Sequence, residues 1–176
     1  SERTADIVAT QTQLAATLDA LPDLLFEIDE ELRVHMVHTQ HPELLMMPAA
    51  EVIGRKASDL MPPEVLDVVR EAITEARQRG RSNGKQYQLA VQGAPHGTWF
   101  ELSVAQKVSG DDHLPHFIVL SRDITDRKNA EHALRESESL MRAIVDNTPV
   151  EFWARDMEGR CIMENALIVE HWGSLL

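Results

Sequence analysis

Histidines are the most obvious candidates for chemistry in this chain of 176 residues, which contains eight of them. His35, His38 and His41 recur every three residues, and imidazole nitrogens are common zinc ligands. This spacing nevertheless places His35 and His38 on opposite faces of the strand that their neighbours predict. His113 and His116 meet the same difficulty at the start of a later strand. Without a nearby cysteine or a His-Glu helix motif, the sequence predicts no metal site.

The residue types of acyl-transfer catalysis are also present, but not in a catalytic arrangement. Ser103, Ser121, Asp123 and His38 supply hydroxyl, carboxylate and imidazole groups. No nucleophile-elbow spacing and no phosphate-binding glycine loop accompanies them. The sequence therefore predicts no catalytic residue and no enzymatic activity for this chain.

The charge of the chain limits its partners. It carries 29 acidic against 17 basic residues, a formal net charge of −12, whereas binding to nucleic acid needs a basic face. No run of about 18 apolar residues would span a membrane, and no secretory leader is visible. A single cysteine, Cys161, excludes an internal disulfide and suits a reducing compartment. We therefore expect a cytoplasmic protein without nucleic-acid or membrane contacts.

The hydrophobic pattern predicts the elements that would position these residues. A helix over residues 5–21 carries Ile7, Leu14 and Leu18 at near-heptad spacing and could pair with its copy in a second chain. Pro22 would end that helix. The later elements are expected as strands at 24–28 and 32–38, helical turns at 43–46 and 50–53, a long helix at 64–79, strands at 86–91, 99–104 and 116–120, and a helix after Ile124.

The segment Asp123-Ile124-Thr125 marks an abrupt change from an apolar strand to a charged helix. Thr125 is a good N-cap residue, whose hydroxyl would accept from a free N–H of the helix. Asp123 and Asp126 lie near the positive end of the helix dipole, and Asp123 could also pair with Arg127 or Arg122. Ile124 would anchor the turn. We interpret this junction as a lever between the sheet and the next domain; the alternative is a plain capped linker helix.

The chain also repeats its own beginning. An offset of 127 residues brings Pro22 onto Pro149 and preserves the order helix, proline, strand, turn and strand. This repeat predicts a second copy of the domain that begins near residue 148 and stops after about its first helix. The identical pairs at this offset are Ala16 and Ala143, Asp19 and Asp146, Asp29 and Asp156, Glu31 and Glu158, Arg33 and Arg160, and Met36 and Met163.

This ordered set of motifs resembles the PAS (Per-Arnt-Sim) sensory domains of bacterial signalling proteins. The resemblance rests on Leu21-Pro22-Asp23, Val52-Ile53-Gly54-Arg55, Asp59-Leu60, Trp99-Phe100-Glu101 and Asp123-Ile124-Thr125, together with the repeat. It implies an α+β fold in which short helices and one long helix cover one face of a five-stranded antiparallel sheet, flanked by N- and C-terminal helices. The expected parts are an N-terminal helix (1–21), a sensory domain (22–125), a linker helix (126–147) and the truncated start of a second PAS domain (148–176).

The resemblance further implies a small-molecule pocket between sheet and helices. The signal would leave through Asp123, Ile124 and Thr125 and reach an output domain outside this chain, a histidine kinase or a diguanylate cyclase. The alternative is a ligand-free dimerisation module with a solid core, paired as a homodimer through Ile7, Leu14 and Leu18. The candidate pocket residues are Phe26, Met36, His38, Leu60, Val69, Ile73, Tyr87, Leu89, Phe100, Leu102 and Ser121.

The known cofactors of the family can be compared with the sequence. The long helix at 64–79 contains no histidine, so the usual haem ligand is missing. The first domain contains no cysteine, which excludes a covalent flavin adduct there. Non-covalent flavin is left open, because Trp99, Phe100 and Tyr87 could line a pocket; ordinary packing is the alternative for these aromatic residues.

Overall fold

A five-stranded antiparallel sheet forms the centre of the first part of the chain. The computed structural model describes residues 10, 12–13, 16–91, 94, 97–107 and 115–176. Two units divide after Asp126. In the first unit, the sheet order is β2-β1-β5-β4-β3, so the first and last strands of the domain lie side by side. The strands are β1 (Leu24–Asp29), β2 (Val34–His38), β3 (Arg81–Leu89), β4 (Thr98–Lys107) and β5 (His116–Asp123).

Short helical segments and one long helix connect β2 to β3. Two 3-10 turns, at Pro42–Leu44 and Ala57–Asp59, flank α1 (Ala49–Val52), and α2 (Pro63–Arg79) follows. Proline at its first turn suits the start of α2, where a missing N–H removes no helical bond. Gly80 ends α2 with φ of 82°, in the left-handed region that glycine adopts without strain.

The core lies between one face of the sheet and α2. Alternate residues of β4 point inward, and Phe100, Leu102 and Val104 are almost completely buried there. They pack with Val69 and Ala72 of α2 in one apolar cluster. The predicted α+β fold with a five-stranded antiparallel sheet is therefore confirmed.

The strand β3 begins earlier than predicted. Its first half, Arg81 to Lys85, has no alternation of apolar and polar residues that would predict a strand. The pairing register with β4 also shifts between Ser82 and Lys85. Gly84 lies within this irregularity with φ of 78°. Ile7 and Leu14 of the predicted dimer helix lie outside the described residues, whereas Leu18 is described and half-buried.

A bulge in the β1–β2 hairpin places two of the predicted pocket residues outside the pocket. Val34 pairs with Ile28, but Met36 pairs with Glu27, so His35 is skipped and the alternation reverses. Met36 and His38 consequently lie on the outer face of the sheet, away from α2. Their predicted position on the inner face beside Val34 is wrong, because the bulge reverses the alternation of side chains after Val34.

The outer face of the sheet carries a charge cluster around Glu27. Lys107 Nζ donates to the two carboxylate oxygens of Glu27 at 2.9 and 3.0 Å, and His116 Nδ1 lies 2.7 Å from Oε1. The hydrogen bond from Lys107 lowers the pKa of Glu27; partial burial opposes this shift and His116 adds to it.

Stability of the first unit is expected to fall in acid because of this cluster. A carboxylate whose pKa is lowered in the folded state stabilises fully above the pKa of an unfolded glutamate, about 4.3. That contribution is lost as the pH falls from there through the folded-state pKa of Glu27. Urea unfolding at steps from about pH 7 to 3 measures the loss. The Lys107→Met variant should show a shallower decline, and an unchanged pH profile in that variant would contradict the assignment.

The second unit contains the helix α3 (Thr125–Asn147) over most of its length, a hairpin of β6 (Trp153–Arg155) and β7 (Cys161–Glu164), and α4 (Ala166–Trp172). The hairpin pairs as the first one does. Both hairpins have a register shift at the equivalent position, after Glu27 and after Ala154. The pairs Phe26–Val37, Glu27–Met36 and Ile28–Val34 correspond, at the offset of 127 residues, to Trp153–Glu164, Ala154–Met163 and Arg155–Cys161.

The turns of the two hairpins share the same hydrogen bonds. Asp29 N–H donates to Arg33 C=O at 3.1 Å, and Asp156 N–H donates to Arg160 C=O at 2.9 Å. Each aspartate also accepts the arginine N–H at its Oδ1, at 3.0 and 2.9 Å. The residue before each arginine, Leu32 in one turn and a glycine in the other, has a positive φ. The repeat predicted from the sequence thus extends to register, bulge and turn.

Asn165 organises the second unit. Its side chain is completely buried, and its Nδ2 donates to the carbonyl oxygens of Val145 and Val150 at 3.2 and 2.8 Å. Its Oδ1 accepts from the N–H groups of Phe152 and Ile168 at 3.1 and 3.3 Å. One side chain therefore ties the end of α3 to β6 and to the start of α4.

Candidate functional site

Two small apolar cavities lie between the inner face of the sheet and the helices of the first unit. Each has a volume of about 50 Å³. Cavity 1 extends toward the loop at residues 44–47 and toward Phe100, whereas cavity 2 extends toward Val69 and Ser121. The two share five wall residues: Phe26, Val52, Leu60, Met61 and Tyr87.

Most of the pocket residues predicted from the sequence line one or both cavities. Ile73 is buried in α2 but lines a surface groove beside Phe117 instead, and Met36 and His38 lie on the other side of the sheet. The lining residues among those predicted are Phe26, Leu60, Val69, Tyr87, Leu89, Phe100, Leu102 and Ser121.

The sequence prediction missed the wall of cavity 1 that the loop at 44–47 supplies. Leu44, Leu45, Met46 and Met47 form an uninterrupted apolar run between two prolines. An apolar run that long in a connection is itself a signal of a buried or ligand-covering segment. The short helical turns around it have no clear period, so periodicity alone does not reveal it.

Tyr87 and Ser121 are the cavity-lining residues with polar side chains in the described part of the chain. Tyr87 Oη lies 3.1 Å from Ser121 Oγ, and both residues are buried. Burial raises the pKa of Tyr87 to about 12, although the bond to Ser121 opposes the shift, so its phenol is neutral at physiological pH. All the other described residues that line either cavity are apolar.

The cavities are small compared with the sites of large cofactors. Pockets for drug-sized ligands measure about 300–1,000 Å³, several times the 50 Å³ of either cavity. Trp99, a candidate flavin-lining residue from the sequence, lies outside both cavities and is half-buried beside Gln88 on the outer face. A flavin therefore does not fit this arrangement of the core.

The histidines that suggested a metal site lie away from the cavities. His35 Nε2 lies 2.8 Å from Asp29 Oδ2, and His41 Nδ1 lies 2.9 Å from Glu43 Oε1. His38 Nε2 lies 3.4 Å from Asp19. Within the described part of the chain, no three His, Cys, Asp or Glu side chains are grouped so that they could hold a metal ion.

The strand-to-helix junction is held to β4 by backbone contacts. Ile124 N–H donates to Trp99 C=O at 2.8 Å, and Trp99 N–H donates to the hydroxyl of Thr125 at 3.0 Å. Asp123 Oδ1 accepts from Thr125 N–H at 2.8 Å. Ile124 is buried. The contact from Trp99 to Thr125 was not predicted; the helix-capping role of Thr125 stays a prediction.

Arg122 makes a contact that joins the two ends of the domain. Its Nε and Nη2 donate to the two carboxylate oxygens of Asp23 at 3.0 and 2.9 Å. Asp23 is only 5% exposed and precedes β1, so the segment before the first strand is bonded to the last strand. Arg122 was predicted as a partner of Asp123.

Three consecutive residues of β5 therefore serve three different contacts. Ser121 faces cavity 2, Arg122 bonds to Asp23, and Asp123 bonds to the first turn of α3.

Comparison with known proteins agrees with this architecture. The family model for the PAS fold matches residues 18–129. The chain is 37% identical over 60 residues to the virulence sensor protein BvgS of Bordetella pertussis, a match that covers 34% of this chain and 5% of that protein. It is 26% identical over 123 residues to the uncharacterized protein y4lL of Sinorhizobium fredii, covering 70% of this chain and 15% of that protein. These matches thus span only a small part of either relative.

Solved structures resemble the chain in fold. The PAS domain of a protein from Colwellia psychrerythraea has a TM-score of 0.55 at 18% identity, covering 66% of this chain and 98% of that one. The PAS domain of an HTR-like protein from Haloarcula marismortui has a TM-score of 0.50 at 17% identity, covering 70% of this chain and 98% of that one.

In the described residues, no helix is long and apolar enough to cross a membrane.

Proposed function

The chain belongs to the PAS fold family, and we therefore propose that its first unit senses a small ligand and relays the binding event into the helix α3. Domains of this family are sensory, non-catalytic modules of multidomain signalling proteins. The proposal assigns the ligand to cavities 1 and 2. The conformational change caused by binding would pass through Asp123, Ile124 and Thr125 to α3.

The observation that carries this proposal is the position of Ser121. Ser121 lines cavity 2, while the next two residues of β5 bond to the segment before β1 and to the start of α3. A ligand that displaces Ser121 would act on Arg122 and Asp123 through the backbone of β5, which supplies the contiguous connection that such coupling uses. Both cavities are bounded by the sheet that leads to the junction.

The second unit is proposed to be the beginning of a second PAS domain. The equivalence of register, bulge and turn between the two hairpins supports this assignment. Phe26 of the first hairpin packs against the apolar cluster, whereas the equivalent Trp153 is 52% exposed. Such a hairpin needs further strands or a helix to cover its apolar side chains.

The proposed relay continues through α3 to an output domain in a longer cytoplasmic protein. A histidine kinase and a diguanylate cyclase are the two output types that the family resemblance implies. The similarity to a virulence sensor protein supports a signalling role of this kind. PAS domains commonly mediate dimerisation, and we propose that the N-terminal helix contributes to a homodimer through Ile7, Leu14 and Leu18.

A second function is favoured by the small size of the cavities. Two volumes of about 50 Å³ are close to those of a filled core, which would suit a ligand-free dimerisation module. Removing residues 1–21 tests whether the chain dimerises through its N-terminal helix or through another surface. A dimer that persists without them at the same concentration would exclude the helix as its interface.

The ligand-sensing proposal predicts that a small molecule is retained during gentle purification. Native mass spectrometry of the full chain should show a mass above that of the polypeptide, which disappears on denaturation. The same measurement on the Leu102→Trp variant, in which an indole fills cavity 2, should show no added mass. An added mass of the same size in both proteins would place the molecule elsewhere.

A further inference from the structure

We infer that the ligand is a small uncharged molecule, mainly apolar, with one hydrogen-bond acceptor that binds the hydroxyl of Tyr87. This inference rests on the proposed sensory function and names the chemical class that the site selects. The charge, the size and the hydroxyl pair of the cavities each restrict the ligand in a different way.

The walls exclude a charged ligand. Among the described residues, no side chain that lines cavity 1 or cavity 2 carries a charge. An ion moved into such surroundings loses its hydration without gaining a partner, which is strongly unfavourable. Tyr87 does not change this, because burial keeps its phenol protonated. Carboxylates, phosphates and ammonium groups are therefore rejected.

The volumes restrict the ligand to about one ring or a short chain. An engineered apolar cavity of about 150 Å³ binds benzene, and the two cavities together provide somewhat less than this. Five shared wall residues separate them, among them Met61, whose unbranched side chain can change rotamer readily. A shift of Met61 would join both cavities into one chamber for a single molecule.

The hydroxyl pair accounts for the acceptor. Tyr87 and Ser121 have two O–H hydrogens between them, and the bond that joins them at 3.1 Å uses one. The other hydrogen can be donated to a ligand oxygen. Tyr87 lines both cavities, whereas Ser121 lines only cavity 2, which exposes no polar surface. A ligand oxygen would therefore meet the phenol from the side of cavity 1.

The loop at residues 44–47 gives a route of access. Met46 and Met47 line cavity 1, and Met46 is also 39% exposed to solvent. Methionine side chains adapt to irregular apolar ligands with little strain. Passage of a ligand through this loop would need no change in the sheet.

Three probes of similar size test the inference on the full chain: benzyl alcohol, toluene and benzoate. Dissociation constants are measured from the shifts of backbone amide signals at the cavity walls. Benzyl alcohol is expected to bind about two- to tenfold more tightly than toluene, which lacks the acceptor. Benzoate should bind more than about 100-fold more weakly.

Two variants assign the preference to the hydroxyl pair. Tyr87→Phe should reduce the affinity for benzyl alcohol to that for toluene. Ser121→Ala should leave it equal or tighter, because the phenol then has no competing partner. Ile73→Val, a buried change outside both cavities, is the matched control and should alter neither affinity.

The outcomes separate this inference from the proposed function. If benzyl alcohol and toluene bind the parent protein at the cavity walls with equal affinity, and Tyr87→Phe changes neither, the predicted acceptor is wrong. If benzoate binds as tightly as benzyl alcohol, the predicted absence of charge is wrong. In both cases the proposed sensory pocket is retained. If no probe shifts the cavity amides, the proposed pocket fails and this inference fails with it.

Discussion

Phe100→Ala is expected to lower the free energy of unfolding of the first unit by about 3–5 kcal/mol, as for other buried phenylalanines. Phe100 is 1% exposed and forms a wall of cavity 1. Its removal should therefore also enlarge that cavity. Urea unfolding measures the first effect, and binding of a probe larger than toluene, such as indole, measures the second.

Phe117→Ala provides the matched control. Phe117 is fully buried in the same apolar cluster but lines neither cavity. The Phe117→Ala substitution should lower the free energy of unfolding to a similar extent, about 3–5 kcal/mol, without creating a site for indole. Equal binding of indole by both variants would contradict the assignment of Phe100 to the wall of the ligand cavity.

Arg122→Leu is expected to lower the free energy of unfolding by about 1–3 kcal/mol, because it leaves the buried carboxylate of Asp23 without two hydrogen-bond donors. The leucine retains much of the apolar bulk of the arginine. A double-mutant cycle with Asp23→Asn measures the coupling. The double variant should lose less stability than the sum of the two single variants.

The same cycle tests the role of Arg122 in the relay. In Arg122→Leu, probe binding at the cavity walls should persist, while the response of residues before β1 should weaken. Additive effects of the two substitutions on stability would show that Asp23 and Arg122 do not act as a pair.

The fold was predictable from the sequence because its core elements have regular periods. The alternation of Phe100, Leu102 and Val104 in β4, and the helical spacing of Val65, Val69 and Ala72 in α2, follow directly from burial on one face. Turns and termini were marked by proline and glycine, as at Gly80. The repeat identified the second hairpin before its register was known.

The features that the sequence did not predict depend on a β-bulge and on contacts between residues that are far apart in the chain. A single skipped residue, His35, reversed the faces of Met36 and His38, and a one-residue slip cannot be read from composition. Arg122 and Asp23 are separated by 99 residues, so no local pattern connects them. The contacts of Asn165 are equally hidden, since asparagine at a helix start usually predicts an N-cap and not a buried junction.

Amide hydrogen exchange at the strand-to-helix junction tests the central claim most directly. The exchange of Ile124 and Thr125, whose N–H groups bond to Trp99 and Asp123, is measured by NMR with and without saturating benzyl alcohol. A relay from the cavity predicts that these two amides change their protection together with the amides of the cavity walls. If the cavity amides respond while Ile124 and Thr125 exchange at unchanged rates, binding is not transmitted to the helix and the proposed sensory mechanism is wrong.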